Sequence, residues 1–436
     1  IGTVNELTDR ASQGAIHNFA LNLKPLLMQP PVKGFVTMGL DPGYRNGCKV
    51  AVVDATGKVL DTAVVYPTFS ERKKQEAIAA LSVLMRKHNV RHIAIGNGTA
   101  SRETEAMTVE LLRSFPDASY AIVNEAGASV YSASPLAAEE FPNYDVNLRS
   151  AVSIARRLQD PLAELVKIDP KAIGVGQYQH DCPQKELDAA LGAVVEDCVN
   201  AVGVDVNTAS RSLLEQVSGL NSTTAKNIVL YREENGPFTS RSQLKKVPKL
   251  GPKAFEQCAG FLRVPESEEI LDNTGVHPES YPAAKALLKL LNTADCATLP
   301  RQLQEYGTGK AAQDCGVGEP TLIDIAKELS KPGRDPRDEL PAPVLRKDVL
   351  EMKDLKPGME LTGTVRNVID FGVFVDIGVH QDGLVHISEV ANRRLHHPSE
   401  AVQVGDVVKV VVLNVDEKRR RISLSMKQAE KSKEEQ

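Results

Sequence analysis

MELTGTVRNVIDFGVFVDIGVHQDGLVHIS (residues 359–388) and VVKVVVLNVDEKRRRISLSM (residues 407–426) together hold five short runs rich in β-branched residues. Turns that contain Gly or charged residues separate these runs, as is typical of short strands in an all-β domain. Five strands at this spacing predict a small β-barrel over residues 354–427.

The predicted barrel concentrates aromatic and basic residues. Aromatic residues make up only 4% of the chain, yet Phe371, Phe374 and His386 fall on neighbouring strands, with Arg366 and the basic run 418–421 close in sequence. Bases stack on flat rings and phosphates bind cations, so this pattern predicts a site for single-stranded nucleic acid. Residues i and i+3 of a flat strand point to opposite faces, so both rings share a face only if the intervening glycine lets the strand bend. The alternative is that one Phe packs in the core and His386 is a structural barrel residue.

Residues 354–427 resemble the ribosomal S-one RNA-binding domain, an OB-fold, because FGVFVDI, DGLVHIS and VDEKRRRISLS occur in that family's order. The resemblance implies five RNA-contacting positions: Phe371, Phe374, His386, Asp416 and Arg420. The family binds single-stranded RNA, and an aromatic platform of this kind also suits single-stranded DNA.

Upstream of the barrel, the Pro-rich, charged stretch 331–343 predicts a linker, and the region before it is predicted to be all-helical. Two turns in that region share one pattern: Gly219-Leu220-Asn221, with Lys226 just beyond, and Lys249-Leu250-Gly251-Pro252-Lys253. Each predicts a helix, a tight turn with a buried Leu and a new helix, whose first amides would face an anion. Residues 211–263 carry nine Lys or Arg against four Asp or Glu.

These two turns resemble helix-hairpin-helix motifs, which bind the DNA or RNA backbone without reading sequence. The resemblance implies phosphate contacts by Gly219, Leu220, Asn221, Lys226, Lys249, Gly251 and Lys253. The alternative is that the glycines only close turns between helices.

MGLDPGYRNGCKVAVVD (residues 38–54) opens an amino-terminal region in which a predicted hairpin is followed by alternating helices and strands. That order predicts a mixed α/β sheet with helices on its faces. The region resembles the YqgF branch of the RNase H-like superfamily, whose members hold Mg²⁺ on clustered carboxylates; the candidates here are Asp41, Glu125 and Asp145. Because Gly96-Asn97-Gly98 supplies no acid on the intervening strand, the acidic set is incomplete. The alternatives are an inert scaffold, an active nuclease and a cleft that binds without cutting.

The complete series of modules resembles the bacterial Tex transcription accessory proteins, on motifs that include LDPGYRNGCKVAVVDATGKVLDTA and SIARRLQDPLAELVKIDPKAIGVGQYQHD. The expected domains are a helical lead-in (1–30), a YqgF-like domain (31–168), a helical connector (169–205), tandem helix-hairpin-helix motifs (206–265), a helical region with linker (266–345), the OB-fold (354–427) and a polar tail (428–436). The resemblance implies nucleic-acid binding linked to transcription.

Composition limits the remaining possibilities. The chain has 436 residues and a net charge of −5, opens with Ile1 rather than Met, and has six Cys without CxxC spacing. We expect a fragment of a longer, cytoplasmic protein with free thiols, no cofactor and no bound metal. The expected partners are RNA, then DNA, and RNA polymerase or a transcription factor; we expect a monomer and no membrane. The leading hypothesis is a non-catalytic binder, and the rivals are a Mg²⁺-dependent nuclease and a protein-interaction scaffold.

Overall fold

The computed structural model describes residues 2–174, 176, 179–333, 335–340, 343–347, 351–379 and 381–434. It divides into two compact units, one made of Ile1–Leu191 with Glu339–Gln436 and the other of Gly192–Asp338. Within the described ranges, no helix combines the length and the apolar character that crossing a membrane requires.

The first unit begins with a helical region and an α/β domain, as predicted. Its helices are α1 (Gly2–Leu27), α2 (Glu71–His88), α3 (Ser101–Leu112), α4 (Ala128–Ser132), α5 (Pro135–Glu140), α6 (Val146–Gln159) and α7 (Pro161–Leu165). Its strands are β1 (Thr37–Asp41), β2 (Cys48–Val53), β3 (Val59–Val65), β4 (His92–Gly96) and β5 (Ser119–Val123). They form one sheet in the order β3-β2-β1-β4-β5, in which β1, β4 and β5 are parallel and β2 and β3 complete an antiparallel meander.

Local sequence explains how this sheet is built. The β2–β3 turn is closed by the Asp54 side chain, which accepts hydrogen bonds from the Thr56 and Lys58 amides at 2.9 and 3.0 Å. Helix α6 packs directly on β1, where a Cβ at Gly39 would overlap the carbonyl oxygen of Ala151. The core between sheet and helices includes the fully buried Met38, Leu40, Val50, Leu81, Ile93, Ile95, Met107 and Tyr120.

The helix after β5 differs from its prediction. The apolar spacing of residues 147–168 predicts one long helix, but α6 ends at Gln159 and Pro161 starts α7. Asp160 between them has extended geometry (φ −153°, ψ 94°), and its side chain caps α7 through the Ala163 amide. A residue before proline is forced out of the helical region, which accounts for the break.

The second unit is helical. It receives the second half of α8 (Gln184–Val202) and contains α9 (Arg211–Leu214), α10 (Ser222–Asn235), α11 (Pro252–Cys258), α12 (Tyr281–Leu291), α13 (Leu299–Tyr306), α14 (Thr308–Cys315) and α15 (Glu319–Leu329). The prediction that strands are absent here is wrong in one detail, because β6 (Val204–Asp205) and β7 (Leu262–Arg263) form a short parallel pair. This pairing satisfies backbone groups at the two ends of the helix-hairpin-helix region.

The five predicted barrel strands are present: β8 (Glu360–Ile369), β9 (Gly372–Asp376), β10 (Gly383–His386), β11 (Val407–Asp416) and β12 (Arg421–Ser425). They close in the order β10-β12-β11-β8-β9 around a core that includes Val365, Val373, Val375, Val385, Val410, Val412, Ile422 and Leu424. Helix α16 (Lys427–Glu434) follows where a polar tail was predicted. The tail does contribute to packing, because Ala429 is 4% exposed.

The segment that leads into the barrel pairs with the first domain. Arg346 and Tyr120 exchange two backbone hydrogen bonds of 2.8 Å, which extends the sheet at its β5 edge. The predicted linker also contains a short 3₁₀ turn, Pro336–Glu339, in which Arg337 is buried and contacts Asp335 at 2.7 Å. The stretch is therefore partly ordered by its own contacts.

Candidate nucleic-acid interface

Strand alternation in the barrel turns one of the two phenylalanines outward. Val373 and Val375 on β9 are fully buried, so Phe374 between them points away from the core. Phe374 lies opposite Leu384 on β10 and Asn367 on β8. The ring therefore lies on the barrel's outer surface and is half-buried there.

Phe371 reaches solvent by a different route from the predicted one. It lies in the turn before β9, and the strand itself begins at Gly372, so strand alternation does not constrain its ring. Its side chain is 54% exposed, while its carbonyl accepts a 2.9 Å hydrogen bond from the Ile387 amide. A bend within the strand is thus unnecessary, because the turn alone presents the ring.

His386 completes this surface from β10. It is exposed and lies directly opposite Gly372 on β9. Because Phe371 immediately precedes Gly372, His386 lies close to Phe371. Its Nδ1 accepts a hydrogen bond from the Ser388 amide at 3.3 Å. This contact assigns the proton of the neutral ring to Nε2, which leaves that nitrogen as a donor.

The structure places Arg366 in an ion pair rather than as an isolated cation. Its Nη2 is 2.7 Å from Oδ2 of Asp376, and Arg346 lies 3.7 Å from the other carboxylate oxygen. Burial opposes ionisation of Asp376, but the Arg366 hydrogen bond and both arginine charges outweigh it and hold the pKa of that carboxyl below its ordinary value. Part of the Arg366 charge is therefore balanced within the barrel.

Asp416 and Arg420 belong to the same turn, between β11 and β12. Asp416 accepts a hydrogen bond from the Arg419 amide at 3.0 Å, so its observed contact is with its own turn. Arg420 is exposed and has a left-handed backbone (φ 50°), which is uncommon for a residue other than glycine. Asp416 thus helps to shape the turn that presents Arg420.

The two helix-hairpin-helix turns in the second unit have matching backbones. Gly219 (φ 87°) and Lys249 (φ 63°) are both left-handed, and each is followed by a leucine and then by the first cap of a helix. Leu250 is 5% exposed and Leu220 is half-buried. In the second turn, Lys249 takes the left-handed position, whereas Gly251 (φ −74°) needs no special backbone freedom.

These two turns pack side by side. The Asn227 side chain on α10 donates a 2.8 Å hydrogen bond to the carbonyl of Pro248 in the second turn. A Cβ at Gly219 would lie 2.6 Å from Cβ of Gln257 on α11, so only glycine allows the first turn to approach α11 this closely. The pair therefore forms one continuous surface.

The helix starts at these turns are not equivalent. At α10, Asn221 and Thr224 form a capping box, so the Thr224 amide is already bonded within the protein. At α11, Gly251 provides no side-chain cap, and Pro252 has no N–H. The prediction of open helix amides therefore describes α11 better than α10, because the Asn at position 221 supplies its own cap.

Five lysines surround these turns: Lys226, Lys245, Lys246, Lys249 and Lys253. All are exposed, and none forms an ion pair with a carboxylate in the part of the chain that the structure describes. Lys245 lies 4.9 Å above the ring of Phe255. Their charges remain available to a polyanion.

The first domain brings two of the three predicted carboxylates together. Asp41 ends β1 and Glu125 follows β5, on either side of β4. A Cβ at Gly96 or Gly98 would overlap the Glu125 carboxylate, so these glycines, where the family pattern led us to look for an acid, instead make room for it. The Asn97 side chain accepts a 3.1 Å hydrogen bond from the Glu125 amide.

Burial dominates the electrostatics of this carboxylate pair. It raises the pKa of Asp41 to about 7, with a further increase from the charge of Glu125 and a smaller opposing effect of Lys49. Burial also raises the pKa of Glu125, and Arg157 behind it opposes the shift. Sequence reasoning missed Arg157, which is 5% exposed and donates to the carbonyls of Asn124 and Ala126, because nothing local marks a buried arginine.

Asp145 has a separate, local role. It is exposed and caps α6 through the amides of Asn147 and Leu148, at 2.8 and 3.0 Å. Over the described ranges, no three His, Cys, Asp or Glu side chains come close enough to hold a metal ion. The residues present thus do not fit the two-metal site that the fold family implies.

We expect the Asp41→Asn variant to gain stability relative to wild type as pH rises. A carboxyl whose folded pKa is near 7 favours the fold while protonated, and that contribution is lost between about pH 4 and pH 7. The variant keeps a neutral group throughout, so its advantage over wild type should reach on the order of 4 kcal/mol at pH 8. Urea unfolding at several pH values measures this difference.

Asp54→Asn is the matched control with the opposite sign. Although partial burial opposes it, hydrogen bonding to Thr56 and Lys58 holds the pKa of Asp54 below its ordinary value, so this change should cost stability above about pH 4. Parallel stability curves for wild type and Asp41→Asn would contradict the assignment for Asp41.

Four family models match successive parts of the chain. They are a Tex protein YqgF-like domain over residues 35–159, a helix-hairpin-helix motif over 199–263, an HHH domain over 269–337 and an S1 RNA binding domain over 354–427. The third of these covers a stretch that sequence analysis described only as a helical region with a linker.

Three relatives are similar over nearly the whole chain. YdcI of Bacillus subtilis (strain 168) is 56% identical over 97% of this chain and 59% of its own length. Transcriptional accessory protein Tex of Neisseria gonorrhoeae is 56% identical over 97% of this chain and 56% of its own length. Protein YhgF of Escherichia coli (strain K12) is 56% identical over 98% of this chain and 55% of its own length. The chain therefore spans somewhat more than half the length of these relatives.

Proposed function

The chain belongs to the Tex family of transcriptional accessory proteins, and from that premise we propose that it binds single-stranded nucleic acid, RNA in preference to DNA, without catalysis of its own. Its expected protein partner is RNA polymerase or a transcription factor, and its expected state is a monomer in the cytoplasm. Cys48, Cys258, Cys296 and Cys315 are thiols rather than disulfides, which suits a reducing compartment.

One observation carries the proposal: the outer surface of the barrel offers rings to solvent. Phe371 is more than half exposed, and Phe374 and His386 lie on the adjoining strands β9 and β10. Stacked bases would cover the solvent-facing parts of these rings. We call Phe371, Phe374 and His386 the aromatic surface.

The helix-hairpin-helix turns support the same proposal through a different interaction. Their five lysines are exposed and, among the residues that the structure describes, pair with no carboxylate, which suits contacts to phosphates rather than to base edges. We therefore expect the turns to add affinity without sequence preference.

The double change Lys249→Gln and Lys253→Gln tests this contribution. Each lost phosphate contact should reduce the slope of log affinity against log salt by about 0.7 on single strands, so the pair should reduce it by about 1.4. The matched control is Lys289→Gln with Lys327→Gln, which removes two exposed lysines from α12 and α15. Equal slopes for the turn variant and wild type would contradict a role for these turns.

The rival function is a Mg²⁺-dependent nuclease that cuts structured nucleic acid. It is favoured by the Asp41–Glu125 pair at the carboxyl ends of parallel strands, which is where the fold family holds its metals. The nuclease is disfavoured because only two of the three predicted metal-binding carboxylates come together. The third, Asp145, caps α6 instead.

We expect the purified protein to leave branched and single-stranded substrates intact in Mg²⁺ or Mn²⁺. The measurement is product formation on labelled substrates, with Asp41→Asn assayed in parallel. Cleavage that Asp41→Asn abolishes would replace the non-catalytic proposal with the nuclease.

A further inference from the structure

A groove runs between α3 of the first domain and the end of the barrel, inside the first structural unit. Its volume is about 790 Å³, and arginines from both domains line it: Arg102 from α3, Arg113 directly after the last residue of α3, and Arg420 from the β11–β12 turn. Neither domain alone would create it, and no part of the proposed function accounts for it.

Helix α3 is amphipathic: one face packs in the core of the first domain, and the other lines the groove. Met107 and Leu111 face the core of the first domain and are essentially fully buried. Arg102, Ala106 and Arg113, which are four and seven residues apart, form an exposed stripe that lines the groove. The stripe thus lies on the solvent-facing side of α3, away from Met107 and Leu111.

The lining of the groove combines apolar and cationic groups. Ala106 and Val109 from α3 contribute apolar surface, as do Met352 and Val379 from the barrel side. An apolar surface beside guanidinium groups is the combination that a nucleotide needs, because its base favours apolar contact and its phosphate favours charge.

Acidic groups do not cancel this charge. Three glutamates also line the groove, but Glu110 is bound by Lys74 and by Gln75, and Glu351 is paired with Lys353 at 2.6 Å. Glu417 is the remaining one, on the same turn as Arg420. The lining therefore holds three arginines and three glutamates, and two of the glutamates are paired with lysines that lie outside the groove.

We propose that this groove binds the continuation of the single strand held by the aromatic surface, so that the strand passes from the barrel along α3. The proposal rests on the proposed function and extends it to a second domain. Arg420 provides the continuity, because it belongs both to the barrel's predicted RNA contacts and to the groove. In this arrangement Arg113 contacts phosphate beyond the reach of the barrel.

Binding measured against strand length tests the path. Labelled oligoribonucleotides of about 4 to 16 nucleotides cover the site sizes of a single OB-fold and beyond. For wild type, affinity should keep rising after the barrel is filled. Arg113→Gln should bind the shortest strands as wild type does and lose about threefold to tenfold on the longest ones, with a salt slope lower by about 0.7.

Two controls make the result specific. Arg10→Gln removes an arginine of similar exposure from α1, where it lines no part of the groove, and should match wild type at every length. Arg420→Gln should weaken binding of short and long strands alike. Thermal unfolding of each variant verifies that these surface changes leave the fold intact.

The binding of these variants distinguishes a failure of the path along α3 from a failure of the proposed function. If Arg113→Gln matches wild type at every length while binding persists, the path along α3 is wrong and binding by the barrel stands. If wild type binds no strand of any length, the proposed function is wrong, and the path falls with it.

Discussion

Replacing both Phe371 and Phe374 with alanine should weaken binding of single-stranded RNA by about 2–6 kcal/mol, because each stacked base contributes about 1–3 kcal/mol. This loss should persist at high salt, since stacking does not depend on counterion release. The measurement is equilibrium binding of a labelled oligoribonucleotide at low and high salt.

The variant should remain folded. Phe371 lies in a turn and Phe374 points outward from β9, while Val373 and Val375 keep the barrel core intact. Phe35→Ala is the matched control, because it removes a ring that is 48% exposed at a site in the first domain distant in sequence from the barrel. Unchanged affinity of a folded Phe371/Phe374 variant would show that the rings do not stack on bases.

Replacing Arg241 with methionine should lower the free energy of unfolding of the second unit by about 3–5 kcal/mol, the cost typical of removing one partner from a buried polar network. Arg241 is 1% exposed. Its guanidinium donates to the carbonyls of Leu262 (2.9 Å), Leu271 (3.3 Å), Val276 (2.6 Å) and Thr274, and to the hydroxyl of Tyr281 (2.9 Å). Methionine fills similar space but leaves these buried carbonyls without donors.

Urea unfolding at neutral pH measures this loss, and hydrogen exchange locates it in the second unit. Arg211→Met is the matched control, because Arg211 is exposed and pairs with Glu215 at 3.0 Å, an interaction that contributes at most about 1 kcal/mol. A cost below about 1 kcal/mol for Arg241→Met would mean that water or rearranged backbone replaces the guanidinium.

The sequence predicts the parts of the fold that depend on local patterns. The five barrel strands are predicted correctly, because β-branched runs separated by turn residues mark each of them. The break before Pro161 was missed, although the residue before a proline is a local signal that could have located it. The role of Arg241 has no local signal, because its acceptors lie 21 to 40 residues away along the chain.

The candidate site shows the same limit. Phe371 and Phe374 could be identified from their pattern, but only the structure shows that a turn, rather than a bend, exposes Phe371. Asp41 and Glu125 come together because parallel strands end at one edge, whereas Asp145 serves its own helix. The groove along α3 joins two domains that are more than 200 residues apart in sequence, so no single motif could reveal it.

The most direct test of the central claim is a salt titration of binding to matched single-stranded and double-stranded RNA and DNA. We expect the tightest binding to single-stranded RNA, with a substantial affinity that remains when the log–log line is extrapolated to 1 M salt, because salt does not screen base stacking. Binding that prefers duplexes, or that vanishes entirely at high salt, would contradict a base-stacking function for the barrel.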